Sequence, residues 1–106
     1  MTQHPGAMKV VNYATYASMG EKAALLRPAH REYMARLQAD GRLVAYGPFA
    51  DGSGALLIYD TSSLSAAEEI LAADPYQIAG VFASCRLSDW EIVKANPALL
   101  TAASLS

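Results

Sequence analysis

Residues 43–59 read LVAYGPFADGSGALLIY, and this stretch decides the fold of the chain. Its two ends, residues 43–46 and 55–59, are apolar runs of strand length. The segment between them, residues 47–54, is dense in glycine, proline, aspartate and serine, which are the residues that form turns. The stretch therefore predicts two short strands, the second returning beside the first, joined by a glycine-rich loop.

A helix is predicted upstream of this strand pair. Pro28 suits the first turn of a helix, where its missing N–H costs nothing, whereas it would be costly deep inside one. We therefore predict a short helical turn near residues 20–26, with Ser18 and Glu21 at capping-box spacing, and a main helix over residues 28–39. The residues that define its buried face repeat at helical spacing: Leu26, His30, Tyr33, Met34 and Leu37.

The remaining elements follow from the same kinds of pattern. Residues 8–16 are rich in β-branched and aromatic residues and predict the first strand. Ser62 or Ser63 is expected to cap a second helix over residues 64–73, and residues 82–93 predict a long last strand. The order is β-α-β-β-α-β. With right-handed crossovers, this order predicts an α+β fold, a ferredoxin-like plait whose antiparallel sheet carries both helices on one face.

Length and composition indicate a single domain with an ordinary core. The chain has 106 residues, of which 53% are hydrophobic and 17% charged, so it has enough apolar material for one packed core. We divide it into a flexible N-terminal arm at residues 1–7, a folded domain at residues 8–93 and a C-terminal tail at residues 94–106.

Charge and apolar patterning argue against two classes of partner. The formal net charge is −2 and the 8 basic residues are scattered, so no basic stripe is available to neutralise the phosphates of a nucleic acid. No apolar run approaches the roughly 20 residues that a membrane-spanning helix needs. With one cysteine, Cys85, and no secretory pattern at the N-terminus, a cytoplasmic location is expected.

The inner strands predict a homodimer. A sheet with one solvated face alternates apolar and polar residues, but residues 43–45 are all apolar, as are residues 55–58. A bare apolar sheet face would be unusually large for a monomer. A second copy packed sheet to sheet would cover it through a two-fold contact. The alternative is that residues 94–106 fold back over this face.

His30 and Asp74 are the candidate catalytic residues. In the plait, the first helix begins at the end of the domain where the second helix finishes, so His30 and Asp74 are expected to meet there. A carboxylate at a helix C-terminus opposes the helix dipole at a cost of roughly 0.3–1 kcal/mol, and such conflicts are typical of functional sites. Two purely structural alternatives stay open: His30 is a core histidine, and Asp74 with Pro75 only starts a turn. If Asp74 accepts a hydrogen bond from His30, the two form the base and orienter of a catalytic triad.

The glycine-rich loop and the end of the first strand come to the same end of the domain and supply candidate ligand-binding residues. Gly47, Pro48 and Ser53 lie in the loop, and Tyr13 lies near the end of the strand. Ser53 is the only hydroxyl in the loop, where it positions a ligand or is a plain turn residue. Arg27, just before His30, is able to hold a carboxylate or phenolate, although a solvated arginine is the commoner case.

Four groups of residues resemble the YCII-related family. They are Arg27-Pro28-Ala29-His30-Arg31-Glu32-Tyr33, Gly41-Arg42-Leu43 through Gly47-Pro48-Phe49-Ala50-Asp51-Gly52, Ala73-Asp74-Pro75-Tyr76, and Gly80-Val81 leading into Trp90. The resemblance rests on their order and spacing and spans about residues 8–93. It implies a dimeric α/β barrel of ferredoxin-like domains, with the family's paired histidine and aspartate on His30 and Asp74. Some relatives of this family act on chlorinated or hydroxylated ring compounds as dehalogenases or lyase-like enzymes.

These observations predict an acid–base enzyme that needs no cofactor and acts on a small molecule, which the resemblance suggests is derived from an aromatic ring. Elimination, isomerisation and hydrolytic removal of a leaving group all fit the pair. No metal is expected, because one cysteine and two separated histidines give no ligand cluster, and phosphate-loop and dinucleotide fingerprints are absent. The alternative is a non-catalytic module that binds a small ligand. A third hypothesis, a cofactor-free monooxygenase of polycyclic phenols, comes from neighbouring families with the same dimeric barrel.

Overall fold

The computed structural model describes residues 8–17 and 20–102. Its elements in chain order are β1 (Met8–Tyr16), α1 (Glu21–Ala39), β2 (Leu43–Pro48), β3 (Gly54–Thr61), α2 (Leu64–Ala72), α3 (Pro75–Ile78) and β4 (Phe82–Trp90), followed by a 3₁₀ turn at Pro97–Leu99. The predicted α+β fold is confirmed. The predicted arm at residues 1–7, Ser18 of the predicted capping box and residues 103–106 of the predicted tail lie outside the described residues.

The four strands form one antiparallel sheet in the order β2-β3-β1-β4. β1 is an inner strand, so that Asn12 in its middle lies opposite Leu57 of β3 on one side and Leu87 of β4 on the other. Each helical crossover joins two strands that have one other strand between them. This is the topology of a ferredoxin-like plait.

One face of the sheet is buried beneath the helices. In β1, Val10, Asn12 and Ala14 are buried, while Tyr13 points to the opposite face and is 50% exposed. The helices contribute residues at helical spacing to the same core: Ala23, His30, Met34 and Leu37 of α1, and Ala67, Ile70 and Leu71 of α2. Each large aliphatic side chain buried here stabilises the fold by about 1.5–3 kcal/mol, so these stripes decide which way the helices face.

α1 is one continuous helix, so the predicted break before Pro28 is wrong. Pro28 lies inside the helix and on its exposed side. A proline here removes the hydrogen bond to the carbonyl four residues back. Ala23 and His30, on either side of Pro28, both join the buried face, and the burial of this stripe outweighs the local cost. The helix begins after Gly20, which provides no side-chain cap.

Other boundaries also differ from the predicted ones. β2 continues to Pro48, so the loop to β3 is shorter than predicted, and β4 ends at Trp90 rather than at residue 93. The cap of α2 is Ser63, whose hydroxyl accepts a hydrogen bond of 3.0 Å from the backbone N–H of Ala66. Serine at this position is a common helix cap because it satisfies an N–H that has no partner within the helix.

No helix within the described residues has both the length and the apolar character that a bilayer crossing demands.

Candidate functional site

The first component of the site is His30, which lies midway along α1. The prediction that it stands near the beginning of its helix is therefore wrong, because α1 starts at Glu21 rather than at Pro28. His30 is nevertheless on the buried stripe, and its side chain is only 6% exposed. A histidine that is this deeply buried needs a hydrogen-bond partner for at least one ring nitrogen.

That partner is Asp74. Nδ1 of His30 lies 2.8 Å from Oδ1 of Asp74, whose side chain is fully buried. An ionised carboxylate only accepts hydrogen bonds, so Nδ1 carries the proton and Nε2 of the neutral ring is left as an acceptor. No described residue hydrogen-bonds to Nε2. The arrangement leaves Nε2 as the basic nitrogen of the ring.

Asp74 does not oppose a helix dipole in the way that was predicted. It follows α2, but it is also the N-cap of the four-residue helix α3. Its Oδ1 accepts a hydrogen bond of 2.9 Å from the backbone N–H of Tyr76 as well as the one from His30. The cap places the carboxylate at the end of a helix where negative charge is favoured, which offsets the expected conflict.

Aromatic rings surround the imidazole of His30. Tyr76 stacks on it with 4.0 Å between ring centroids and 6° between ring planes. Tyr46 and Phe82 meet it edge-on at 5.7 Å and 6.2 Å. The Tyr76 hydroxyl in turn donates a hydrogen bond of 3.3 Å to the backbone carbonyl of Ala23. The contacts with these rings and the hydrogen bond to Asp74 together hold the imidazole in one orientation.

Tyr16 packs beside these rings, 6.3 Å from the ring of Tyr76, and two arginines act on Tyr16 and Tyr46 through their charge. Burial raises the pKa of the Tyr16 phenol above its usual value, and the charge of Arg27 opposes that rise. Burial likewise raises the pKa of Tyr46, and the charge of Arg31 opposes it. Arg27 and Arg31 are exposed residues of α1 that flank His30 in sequence. The site thus combines a buried dyad, phenol groups that stay protonated, and a cationic rim.

The structure places Tyr13, another predicted ligand contact, away from His30. The Tyr13 ring lies on the opposite face of the sheet, 5.1 Å from that of Phe49. Gly47 pairs with Leu56, whose side chain is also on that face. The expectation that Tyr13 joins His30 within one chain is therefore not met.

The other two predicted loop contacts have local structural roles. Pro48 pairs with Ala55 at the end of β2. The Ser53 N–H donates a hydrogen bond of 2.9 Å to Asp51, and its carbonyl accepts one of 3.0 Å from the N–H of Tyr16. Hydrogen bonds from Ser53 also lower the pKa of the Asp51 carboxyl. Ser53 is thus a turn residue that joins the loop to the end of β1.

The prediction missed Tyr46, Tyr76 and Phe82. The first was hidden by a register shift in β2, which lets Leu43 and Tyr46 point to the same face although they are three residues apart. Strict alternation would place them on opposite faces. Tyr76 gave a usable signal, because a residue after Asp-Pro opens a turn next to the carboxylate.

A large surface groove lies elsewhere. It has a volume of about 790 Å³ and is lined by Tyr33, Arg42 and Glu69 among others, but not by His30 or Asp74. Its volume alone does not make it a functional site, because the charged groups that border it are largely paired, as Arg42 is with Asp40 at 3.0 Å. Within the ranges 8–17 and 20–102, no three His, Cys, Asp or Glu residues cluster as metal ligands.

Comparison with known proteins identifies a family and two similar proteins. The YCII-related domain family matches residues 8–91. The uncharacterized protein YjpA of Bacillus subtilis (strain 168) is 37% identical over 65 residues, which cover 61% of this chain and 75% of that protein. The structure of a 5-chloro-2-hydroxyhydroquinone dehydrochlorinase from Burkholderia phenoliruptrix AC1100, in complex with 2,5-dihydroxybenzoquinone, superposes with a TM-score of 0.68. That match covers 79% of this chain and 94% of the dehydrochlorinase at 23% identity, and it supports the fold.

Proposed function

The chain belongs to the YCII-related family, and from that membership we propose that it is a cofactor-independent acid–base enzyme acting on a small, ring-derived molecule. The buried 2.8 Å hydrogen bond between His30 and Asp74 carries this proposal. His30 is the base or acid, and Asp74 holds its ring in one tautomer and stabilises the imidazolium that forms. The base and orienter of a catalytic triad have the same arrangement.

The reaction class that we favour is an elimination. Nε2 of His30 takes a proton from the substrate, and the electron pair left behind forms a new double bond while the leaving group departs as an anion. The imidazolium then gives its proton to solvent, so the substrate loses one equivalent of acid overall and no oxidant or reductant is needed. The dehydrochlorinase with the similar structure is named for a reaction of this class. Isomerisation and hydrolytic loss of a leaving group would use the same pair.

The residues around the dyad favour a flat substrate with an anionic oxygen. Tyr46, Tyr76 and Phe82 present ring faces and edges next to the imidazole, which suits an aromatic or quinonoid ring. Arg27 and Arg31 supply positive charge at the same place, and guanidinium groups bind carboxylates and phenolates well. We therefore keep Arg27 as the predicted ligand-binding residue and add Arg31 to it.

The test is turnover of a panel of chlorinated and hydroxylated phenols and ring-derived acids, measured as substrate loss and chloride release. We expect His30→Asn to lose about 10²–10⁴-fold in kcat, because it removes the proton-transferring group. Asp74→Asn should also lose activity. Arg27→Gln should raise KM, whereas Arg36→Gln, in the last turn of the same helix, should leave kcat and KM unchanged.

The outcomes separate the candidate functions. Binding of a panel compound with no product after long incubation would mean that the protein is a non-catalytic ligand-binding module and not an enzyme. Oxygen uptake with a polycyclic phenol would indicate a cofactor-free monooxygenase instead. Tyr13, Gly47, Pro48 and Ser53 stay predicted ligand contacts, and Ser53→Ala in the same assay decides whether the loop takes part.

The proposal includes a homodimer. On the face of the sheet away from the helices, Val11, Leu56 and Ile58 are only half-buried and Tyr13 is 50% exposed. Residues 94–102, the described part of the tail, are themselves exposed and leave Tyr13 uncovered. A second copy is therefore the better candidate for covering this face.

A further inference from the structure

A second polar pair is buried in the core, on the sheet rather than on the helices. Nδ2 of Asn12 donates a hydrogen bond of 3.2 Å to the hydroxyl of Tyr59, and both residues are 0% exposed. Asn12 occupies the middle of inner strand β1, where an apolar residue is the usual choice. Burying an amide costs free energy unless its donors and acceptors are satisfied, so a polar residue at this position calls for a reason.

Two buried oxygen atoms without hydrogen-bond partners suggest a reason for the polar residue at this position. Oδ1 of Asn12 and Oδ2 of Asp74 are both inaccessible, and neither has a hydrogen-bond partner among the described residues. Each oxygen left without a donor costs roughly 1–3 kcal/mol. Both are acceptors, so they cannot satisfy each other, and each needs a donor.

Two arrangements supply donors to these oxygens. A single water molecule has two hydrogens and can donate one to each oxygen, as buried waters commonly do. Alternatively, the amide of Asn12 has the reverse orientation, so that Nδ2 faces the carboxylate and the Tyr59 hydroxyl donates to Oδ1. Both arrangements connect the same residues.

Other contacts bring Asp74 and Asn12 to the same part of the core. Gln77, three residues after Asp74, has its Oε1 3.8 Å from Sγ of Cys85 on β4, which lies opposite Ala14, two residues from Asn12 on the same face of β1. Burial raises the pKa of the Tyr59 phenol well above its usual value, and the negative charge of Asp74 adds to that rise. The charge of Asp74 therefore reaches the very group that Asn12 contacts.

We propose that Asn12 is a positioning residue for the His30–Asp74 pair, hydrogen-bonded to Oδ2 of Asp74 either directly by its amide or through one bridging water, and anchored on the sheet by Tyr59. The network runs from α1 through Asp74 to β1 and β3. With both carboxylate oxygens engaged, Asp74 cannot rotate, so Oδ1 stays directed at His30. Its catalytic consequence rests on the proposed function, but the link itself does not.

The test observes the proton on Nδ1 of His30 by NMR, because a proton in a hydrogen bond to a carboxylate resonates at low field. We expect Asn12→Leu to move this resonance further downfield, since a carboxylate that loses one donor accepts more strongly from the other. Tyr59→Phe, which removes only the anchoring hydroxyl, should shift it in the same direction by less. If Asn12→Leu fails to fold, Tyr59→Phe decides alone.

Thr61→Val is the matched control. Thr61 is also a buried polar residue of β3, but its hydroxyl donates to the carbonyl of Ser63, 2.9 Å away, and it should leave the resonance in place. In an Asp74→Asn background, Asn12→Leu should have no further effect on His30. The proposal is overturned if the resonance has the wild-type position in Asn12→Leu and in Tyr59→Phe. Loss of turnover in His30→Asn is a separate result, so the link and the enzymatic function succeed or fail independently.

Discussion

Asp74 serves two structures with one side chain. Its Oδ1 accepts hydrogen bonds from the N–H of Tyr76, in the first turn of α3, and from the Nδ1–H of His30, in α1. Removing the carboxylate therefore removes a helix cap and leaves a buried imidazole without its partner. Helix caps and hydrogen bonds to charged groups are among the stronger local contributions to stability.

We expect Asp74→Ala to lower the free energy of unfolding by about 2–4 kcal/mol, and Asp74→Asn, which keeps an acceptor, to lower it by less. Urea denaturation followed by circular dichroism measures both. Asp51→Ala is the comparison, because Asp51 also accepts a backbone hydrogen bond in a turn but is exposed. Equal losses at residues 51 and 74 would mean that the His30 contact adds nothing to stability.

Tyr59 determines how the fold responds to alkali. Burial raises its pKa above 10.0, the ordinary value of a tyrosine phenol, and the pKa values of Tyr16, Tyr33 and Tyr46 are raised for the same reason. Below pH 10 these phenols are protonated in both states, so they add no pH dependence. Above it the unfolded chain loses protons that the folded chain keeps, and stability falls as the pH rises.

The measurement is the free energy of unfolding against pH from 8 to 12. We predict that Tyr59→Phe makes the alkaline decline shallower by up to about 1.4 kcal/mol per pH unit, the limit for one group that is protonated only in the folded state. Thr61→Val, which removes a buried hydroxyl of the same strand that does not ionise, should leave the slope as it is. An unchanged slope in Tyr59→Phe would show that its phenol ionises without unfolding the chain.

At the scale of the elements, α2 illustrates a local rule that holds without tertiary help. Ser63 caps the helix and Ser62 beside it is exposed, so the two serines form a natural pair for comparison. We expect Ser63→Ala to cost about 1 kcal/mol and Ser62→Ala to be close to neutral. Thermal unfolding of the two variants side by side tests this, and similar melting temperatures would contradict the assignment of the cap.

The order of the elements could be predicted because it depends on periodic apolar patterns, as in residues 8–16 and 64–73. Three local features could not. Pro28 lies inside α1, although proline prefers the first turn of a helix, because the buried stripe of the helix continues past it. The register shift in β2 that turns Tyr46 toward His30 has no pattern of its own, and α3, at four residues, is shorter than any periodic signal.

The candidate pair was also predicted only in part. His30 and Asp74 were expected to meet because one helix begins where the other ends, and they do lie 2.8 Å apart. Their positions in the helices differ from the predicted ones, since His30 is in the middle of α1 and Asp74 is the N-cap of α3. Asn12, by contrast, looked like any other strand residue, because an unsatisfied oxygen is visible only after its neighbours have been placed.

On the scale of the whole molecule, the plait separates two surfaces that have different tasks. The helix face of the sheet buries the dyad and the polar network beneath α1. The opposite face is more polar than the apolar runs of the sequence suggested, because Asp60 and Ser88 lie on it. Val11, Leu56 and Ile58 still form an apolar centre on that face, and it is this centre that the proposed dimer would bury.

Ile58→Lys tests the dimer most directly. Ile58 lies opposite Val11 of β1 and Ala45 of β2, so a lysine there places a charge in the apolar centre of the face and should split the dimer. Leu25→Lys is the control, because Leu25 is 79% exposed on α1, away from that face. By light scattering after gel filtration, we expect twice the mass of one chain for wild type and Leu25→Lys, and the mass of one chain for Ile58→Lys. A wild-type protein with the mass of a single chain would remove the dimer from the proposal, while the dyad beneath the helices would still be complete within each chain.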